Sequence, residues 1–142
     1  MRYNLERFVE AQVRDYSMAL NEIRNGYKCG HWMWYIFPKL KQLGKSSMSR
    51  YYGIENIDEA KEYLLHPVLG TRLNEICTAL LALEIDDSYK IRGSVDGMNL
   101  RSSMTLFSLS SDNNSIFDAA LNKFFNGEKD RQTIELLLKT PN

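Results

Sequence analysis

The sequence predicts an all-α fold, a single globular domain over residues 1–142 with about six or seven helices. Three observations carry this prediction. Apolar residues recur at three- and four-residue spacing through most of the longer segments. Capping residues stand just before those stripes, and glycines follow several of them. No segment alternates apolar and polar as a half-buried strand does, and no repeat, low-complexity tract or linker interrupts the chain.

Taken in order, Asn4 is placed to cap a first helix. Its stripe is Leu5, Phe8, Val9, Tyr16, Ala19, Leu20 and Ile23, with one polar interruption at Gln12 and Gly26 positioned to end it. His31 to Pro38 is apolar on nearly every face, which predicts burial all round but is too short to separate strand from helix. Gln42 to Gly53 is small and polar and reads as a loop. Asn56 with Glu59 resembles a capping box for a short helix through Tyr63 and Leu64. Pro67 fits the first turn of a longer helix with the stripe Leu69, Leu73, Ile76, Cys77 and Leu80, and His66 before it suits a cap. Asp86 to Gly97 reads mostly as loop. A helix from about Met98 to Leu109 turns Leu100, Met104 and Phe107 one way, with Ser103 near them. Ser115 and Asp118 cap the next helix, whose stripe is Phe117, Ala120, Leu121, Phe124 and Phe125 and which Gly127 ends. Asp130 caps the last, which carries Ile134, Leu137 and Leu138.

Composition narrows the function classes. The 18 basic and 18 acidic side chains cancel, and 44% hydrophobic content suits a folded protein rather than a disordered one. No apolar run approaches a membrane span and the N-terminus lacks a signal-peptide pattern, so the expected setting is cytoplasmic and no membrane partner is expected. Two cysteines, Cys29 and Cys77, and two histidines, His31 and His66, show no ligand spacing, so neither a metal nor a cofactor is predicted. The zero net charge hides an asymmetry. Arg24 to Ile54 contains six bases and no acid, a net of +6, and the remainder carries −6. The same stretch holds 7 of the 16 aromatics, including both tryptophans. Bases interleaved with aromatics suit a ligand with an anionic and a flat part, although the same residues also serve as core with lysines solvated above it. The −6 remainder opposes binding to a nucleic-acid polyanion.

Two constellations carry chemistry. Gly44-Lys45-Ser46-Ser47 is not a P-loop, because Lys39 stands where that loop needs glycine and no strand precedes it. It nonetheless offers an ammonium and two hydroxyls to a phosphate, or forms an ordinary solvated turn. Leu100-Arg101-Ser102-Ser103-Met104-Thr105 sets one arginine among hydroxyls in a segment otherwise free of charge from Met98 to Ser111. That arrangement serves an anion clamp or an ion pair to an acidic neighbour. His31 is the residue of the aromatic segment that titrates near neutrality, fit for acid–base work or for a structural hydrogen bond. A Cys29–His31 thiolate pair is disfavoured because i and i+2 point to different sides of a helix.

These blocks together carry a resemblance. His31-Trp32-Met33-Trp34, Ile36-Phe37-Pro38, Leu43-Gly44, Ser46-Ser47 and Tyr52-Gly53-Ile54 form the first. Glu59-Ala60, Tyr63-Leu64, His66-Pro67, Leu69-Gly70 and Arg72-Leu73 form the second. Leu100 to Phe107, then Leu121, Phe124-Phe125, Gly127, Asp130 and Leu136-Leu137 complete it. Over about Phe8 to Leu138 the chain resembles the bacterial domain-of-unknown-function family eighteen-ten, which implies a small, mainly α-helical domain and brings no activity with it. The label calpastatin attached to some members describes a protease inhibitor with disordered inhibitory segments, unlike a globular helical domain. Lys39 departs from the glutamine expected after the Phe-Pro pair.

The functional expectation is a pocket for a small anionic, nucleotide-like ligand lined by both blocks. Trp32 or Trp34 would stack on the ring, Arg101 and Lys45 would hold the anion, and Ser46, Ser47, Ser102, Ser103 and Thr105 would line and orient it. If the protein is an enzyme, His31 is the acid–base candidate for hydrolysis or transfer at a phosphate or glycosidic bond. The alternative expectation is a protein–protein adaptor or inhibitor with the aromatic segment as an exposed surface.

Overall fold

A computed structural model describes residues 3–25, 33–83, 95–111 and 115–139. Among these residues there are eight α-helices, one 3-10 turn and no strand beyond a single isolated bridge. The first helix, α1 (Glu6–Arg24), buries Phe8, Ala19, Leu20 and Ile23 of the predicted stripe with its polar interruption Gln12, adds Ala11, and leaves Val9 and Tyr16 half-buried against the core. Its N-cap is Leu5, without a side-chain cap, rather than Asn4. Leu5 is itself buried, so its side chain anchors the helix start, and the Asn4 carbonyl accepts from the Arg7 guanidinium instead. Asn25 closes the helix, and the predicted terminator Gly26 lies outside the described residues.

The aromatic segment resolves as helix where it is described. α2 (Met33–Ile36) is one turn, and Phe37 and Pro38 end it. The segment read as a loop over 42–53 is more ordered than expected. A 3-10 turn (Lys41–Leu43) leads into α3 (Ser47–Tyr51). A reciprocal capping box starts α3: the Ser49 N–H donates to Ser46 Oγ at 3.1 Å and the Ser46 N–H to Ser49 Oγ at 3.0 Å. Two serines make this box, so the Glu or Gln that marks such boxes in a sequence is missing. Behind α3 the chain returns alongside itself. Lys41 N–H donates to the Ile54 carbonyl at 2.9 Å, and Ile54 N–H to the Lys39 carbonyl at 2.8 Å.

α4 (Ile57–Leu65) is capped by Asn56, while the Glu59 carboxylate accepts from the Glu55 N–H at 2.6 Å, one residue earlier than a strict box. His66 caps α5 (Leu69–Leu81), its Nδ1 accepting from the N–H groups of Val68 and Leu69. Pro67 sits just ahead of the first turn rather than inside it. α6 (Val95–Leu109) begins three residues before Met98 and is buried on every side from Ser102 to Ser108. α7 (Ile116–Phe125) has the predicted Ser115–Asp118 box and buries all five stripe residues. It ends in two left-handed residues, Asn126 (φ 54°) and Gly127 (φ 79°). Asp130 caps α8 (Arg131–Lys139), accepting from the Thr133 N–H at 3.1 Å. The stripe expected there is corrected. Leu138 is 82% exposed, while the predicted Leu137 packs against the core together with Leu136 and the buried Thr133.

The core joins these helices through rings. Phe8 of α1 meets Tyr63 of α4, Tyr63 meets Phe107 of α6, and Phe107 meets Phe117 of α7, with centroids 5.2, 5.3 and 5.6 Å apart. Gln12 is satisfied inside this core, donating to the Tyr35 carbonyl at 2.8 Å and to the Tyr63 hydroxyl at 3.1 Å. A buried ion pair, Arg7–Glu59 at 3.1 Å, ties α1 to α4, and the same guanidinium donates to the carbonyls of Tyr51 and Gly53 at 2.7 Å each. No described helix is long and apolar enough to cross a membrane.

Candidate functional site

The base-rich segment meets the hydroxyl-bearing helix and the last helix at one junction. Lys39, held in place by the Leu40–Ile54 bridge, is half-buried and donates to Asn99 Oδ1 on α6 at 2.6 Å. Burial pushes its pKa below the ordinary lysine value; Asp130 at the start of α8 opposes that shift and Lys45 adds to it. Asp130 in turn accepts from Ser102 Oγ at 3.2 Å and Thr133 Oγ1 at 2.6 Å, and its own N–H donates to Thr105 Oγ1 at 2.8 Å. Residues 39–50, α6 and α8 therefore converge through specific polar contacts.

Beside this junction runs a groove of about 400 Å³. Gly44, Lys45 and Arg50 line one wall, and Gln132, Glu135 and Lys139 of α8 line the other. Three cations face one carboxylate there. Arg50 Nε donates to the Gly44 carbonyl at 3.1 Å, which orients the guanidinium across the loop. A second groove of about 370 Å³ is lined by Arg7, Lys41, Ser47, Arg50, Tyr51, Glu55 and Glu59 among others. Arg50 borders both.

The predicted site residues distribute unevenly over this geometry. Lys45 is exposed and lines the first groove, and Ser47 is exposed and lines the second. Ser46 Oγ is engaged as the α3 cap. Ser102 and Thr105 are buried and bond back to the carbonyls of Met98 and Arg101, four residues earlier, as well as to Asp130. Ser103 is fully buried and its hydroxyl has no partner among the described residues. Arg101 points elsewhere: it lies 5.9 Å over the Phe125 ring and 3.9 Å from Glu128, a loose pair open to solvent. It lines neither of the two grooves. Trp34 is half-buried against the core. His31 and Trp32 lie outside the described residues. Residues 39–50, α6 and α8 thus meet through Lys39–Asn99 and Ser102–Asp130, while Lys45 and Arg101 stand in different surroundings.

Several residues that sequence reasoning passed over belong to this region. Arg50 and Lys139 are legible in the sequence only as charges, Asp130 only as a helix cap, and Asn99 and Thr133 only as ordinary helix positions. The lone departure at Lys39 was the available signal for a special environment. Among the described residues no group of three or more His, Cys, Asp or Glu side chains converges as a metal site would require.

Comparison with known proteins adds relatives without an activity. A family model described as a protein of unknown function (DUF1810) matches residues 2–137. The crystal structure of the conserved hypothetical protein Rv1873 from Mycobacterium tuberculosis is similar, at 41% sequence identity and a TM-score of 0.91, covering 99% of this chain and 100% of that one. No curated protein matches the chain.

Proposed function

The chain belongs to the DUF1810 family, a family of unknown function, so its activity has to be read from its own residues; on that premise we propose that it binds a small anionic, nucleotide-like ligand in the groove between residues 44–50 and α8. The observation that carries this reading is the convergence of Lys45, Arg50 and Lys139 on one concavity with a single opposing carboxylate, Glu135. Its volume falls in the range of small-molecule sites, roughly 300–1,000 Å³. Arginine supplies the planar fork that matches a phosphate, and the lysines supply point charges. Lys39 supports the same reading from beneath. Its ammonium is partly removed from water and has one amide acceptor, so an anion entering beside Lys45 would favour its charged form. The overall neutrality of the molecule confines this attraction to the groove, which suits a small ligand better than a polyanion.

Isothermal titration of the full chain with pyrophosphate and with adenosine diphosphate tests the proposal. Binding that weakens with salt, and that falls by about tenfold or more in the Lys45→Glu/Arg50→Glu double variant, is the expected result. Absence of heat with either ligand at millimolar concentration and low salt would overturn it.

A further inference from the structure

The two grooves that meet at Arg50 differ in character. The first carries the surplus of cations. In the second the charges are largely matched: Arg7 pairs with Glu59 at 3.1 Å and Lys41 with Glu55 at 3.9 Å, which leaves Arg50 as the unmatched cation among its described lining residues. That groove also carries an aromatic ring. Tyr51 is 55% exposed, yet it is not loose. Its ring meets that of Tyr52 edge-on with centroids 4.8 Å apart, and its carbonyl is held by Arg7 Nε at 2.7 Å. Ser47, Arg50 and Tyr51 stand three and four residues apart or adjacent on α3, so one short helix presents a hydroxyl, a guanidinium and a ring together.

We propose that Tyr51 is the base-stacking residue of the site, so that a nucleoside diphosphate binds across Arg50, its phosphates in the Lys45–Lys139 groove and its planar base on the Tyr51 ring. This rests on the anion-binding reading above and names its substrate class. A positioned, exposed ring beside a cationic groove is the arrangement that distinguishes nucleotide from inorganic anion, because every base has a π-face and stacking needs no particular hydrogen-bond pattern. Arg50, bordering both grooves, would hold the phosphate nearest the sugar, and Ser47 is exposed in the lining of the second groove.

The experiment compares adenosine diphosphate with inorganic pyrophosphate on the wild-type chain and on Tyr51→Ala and Tyr51→Phe, by calorimetry, with thermal melting as a check on folding. The expected pattern is adenosine diphosphate bound about tenfold or more tighter than pyrophosphate by wild type. Tyr51→Ala should remove that advantage while leaving pyrophosphate affinity unchanged, and Tyr51→Phe, which keeps the ring, should retain it. Equal affinities for the two ligands in wild type, or a nucleotide advantage that survives Tyr51→Ala, would overturn the stacking role and leave the anion site standing. Failure of both ligands to bind would overturn the two proposals together.

Discussion

Ser103 carries a hydroxyl that the fold buries completely and leaves without a partner among the described residues. The other hydroxyls of α6 show how unusual that is. Ser102 and Thr105, like Ser110 just past its end, each donate to the carbonyl four residues earlier, so a helix rich in small polar side chains can sit in the centre of the molecule. An unmet hydroxyl in such a place costs stability, about 1–3 kcal/mol. Ser103→Ala is therefore expected to raise the urea midpoint, by about 1 kcal/mol of added stability. A loss of similar size would show that the hydroxyl is bonded in solution. Arg7 is the opposite case. Its guanidinium reaches the Glu59 carboxylate and the carbonyls of Asn4, Tyr51 and Gly53, so one side chain fastens α1 to both α3 and α4.

At the scale of the element, the cap of α7 is also a tie to α6. Asp118 completes the box with Ser115 and accepts a hydrogen bond from Ser108 on α6. That hydrogen bond, with help from the Ser115 N–H and the Lys129 charge, holds the Asp118 carboxyl below the usual carboxylate range against the opposing pull of burial. A carboxylate with a depressed folded-state pKa stabilises the fold above its ordinary pKa, and the contribution is lost as pH falls through the folded value. Thermal midpoints measured from about pH 7 down to about pH 3 should therefore drop at the acid end. In Ser108→Ala the acid drop should be smaller and the neutral-pH midpoint lower. An unchanged acid limb in that variant would show that Asp118 takes no part in it.

Over the whole molecule, the proposed site depends on a chain return that crosses three elements. The bridge between Leu40 and Ile54 sets residues 39–41 against the end of α3, and through Lys39 against α6 and the start of α8. Gly53 stands at the close approach. A Cβ there would lie 2.4 Å from Lys41 Cα, a backbone atom that cannot swing aside. Gly53→Ala is expected to destabilise by about 1–3 kcal/mol in urea titration, as overpacking does. It should also weaken ligand binding, because the same shift moves Lys39 and Lys45 away from α8. Wild-type stability in this variant would mean that the bridge is loose in solution.

What the sequence determined by itself is local. The caps at Asn56, His66, Ser115 and Asp130 and the stripes of α5 and α7 depend on residues within a turn or two, and the chain carries those signals on its face. Where two local readings compete, only tertiary contact decides. α8 offers both Ile134–Leu137–Leu138 and Thr133–Leu136–Leu137 as an inner face, and the bonds that join Asp130 to Ser102, Thr105 and Thr133 select the second. The candidate site follows the same rule. Lys45 and the +6 segment were visible in composition, but Lys139, Arg50 and Tyr51 acquire meaning only from what stands opposite them. Arg101 was singled out as the charge in a neutral helix, and its surroundings turned out to be Phe125 and Glu128 rather than the groove. Electrostatic and stacking partners are set by distance in space, and in this fold those distances come from chain segments far apart in sequence.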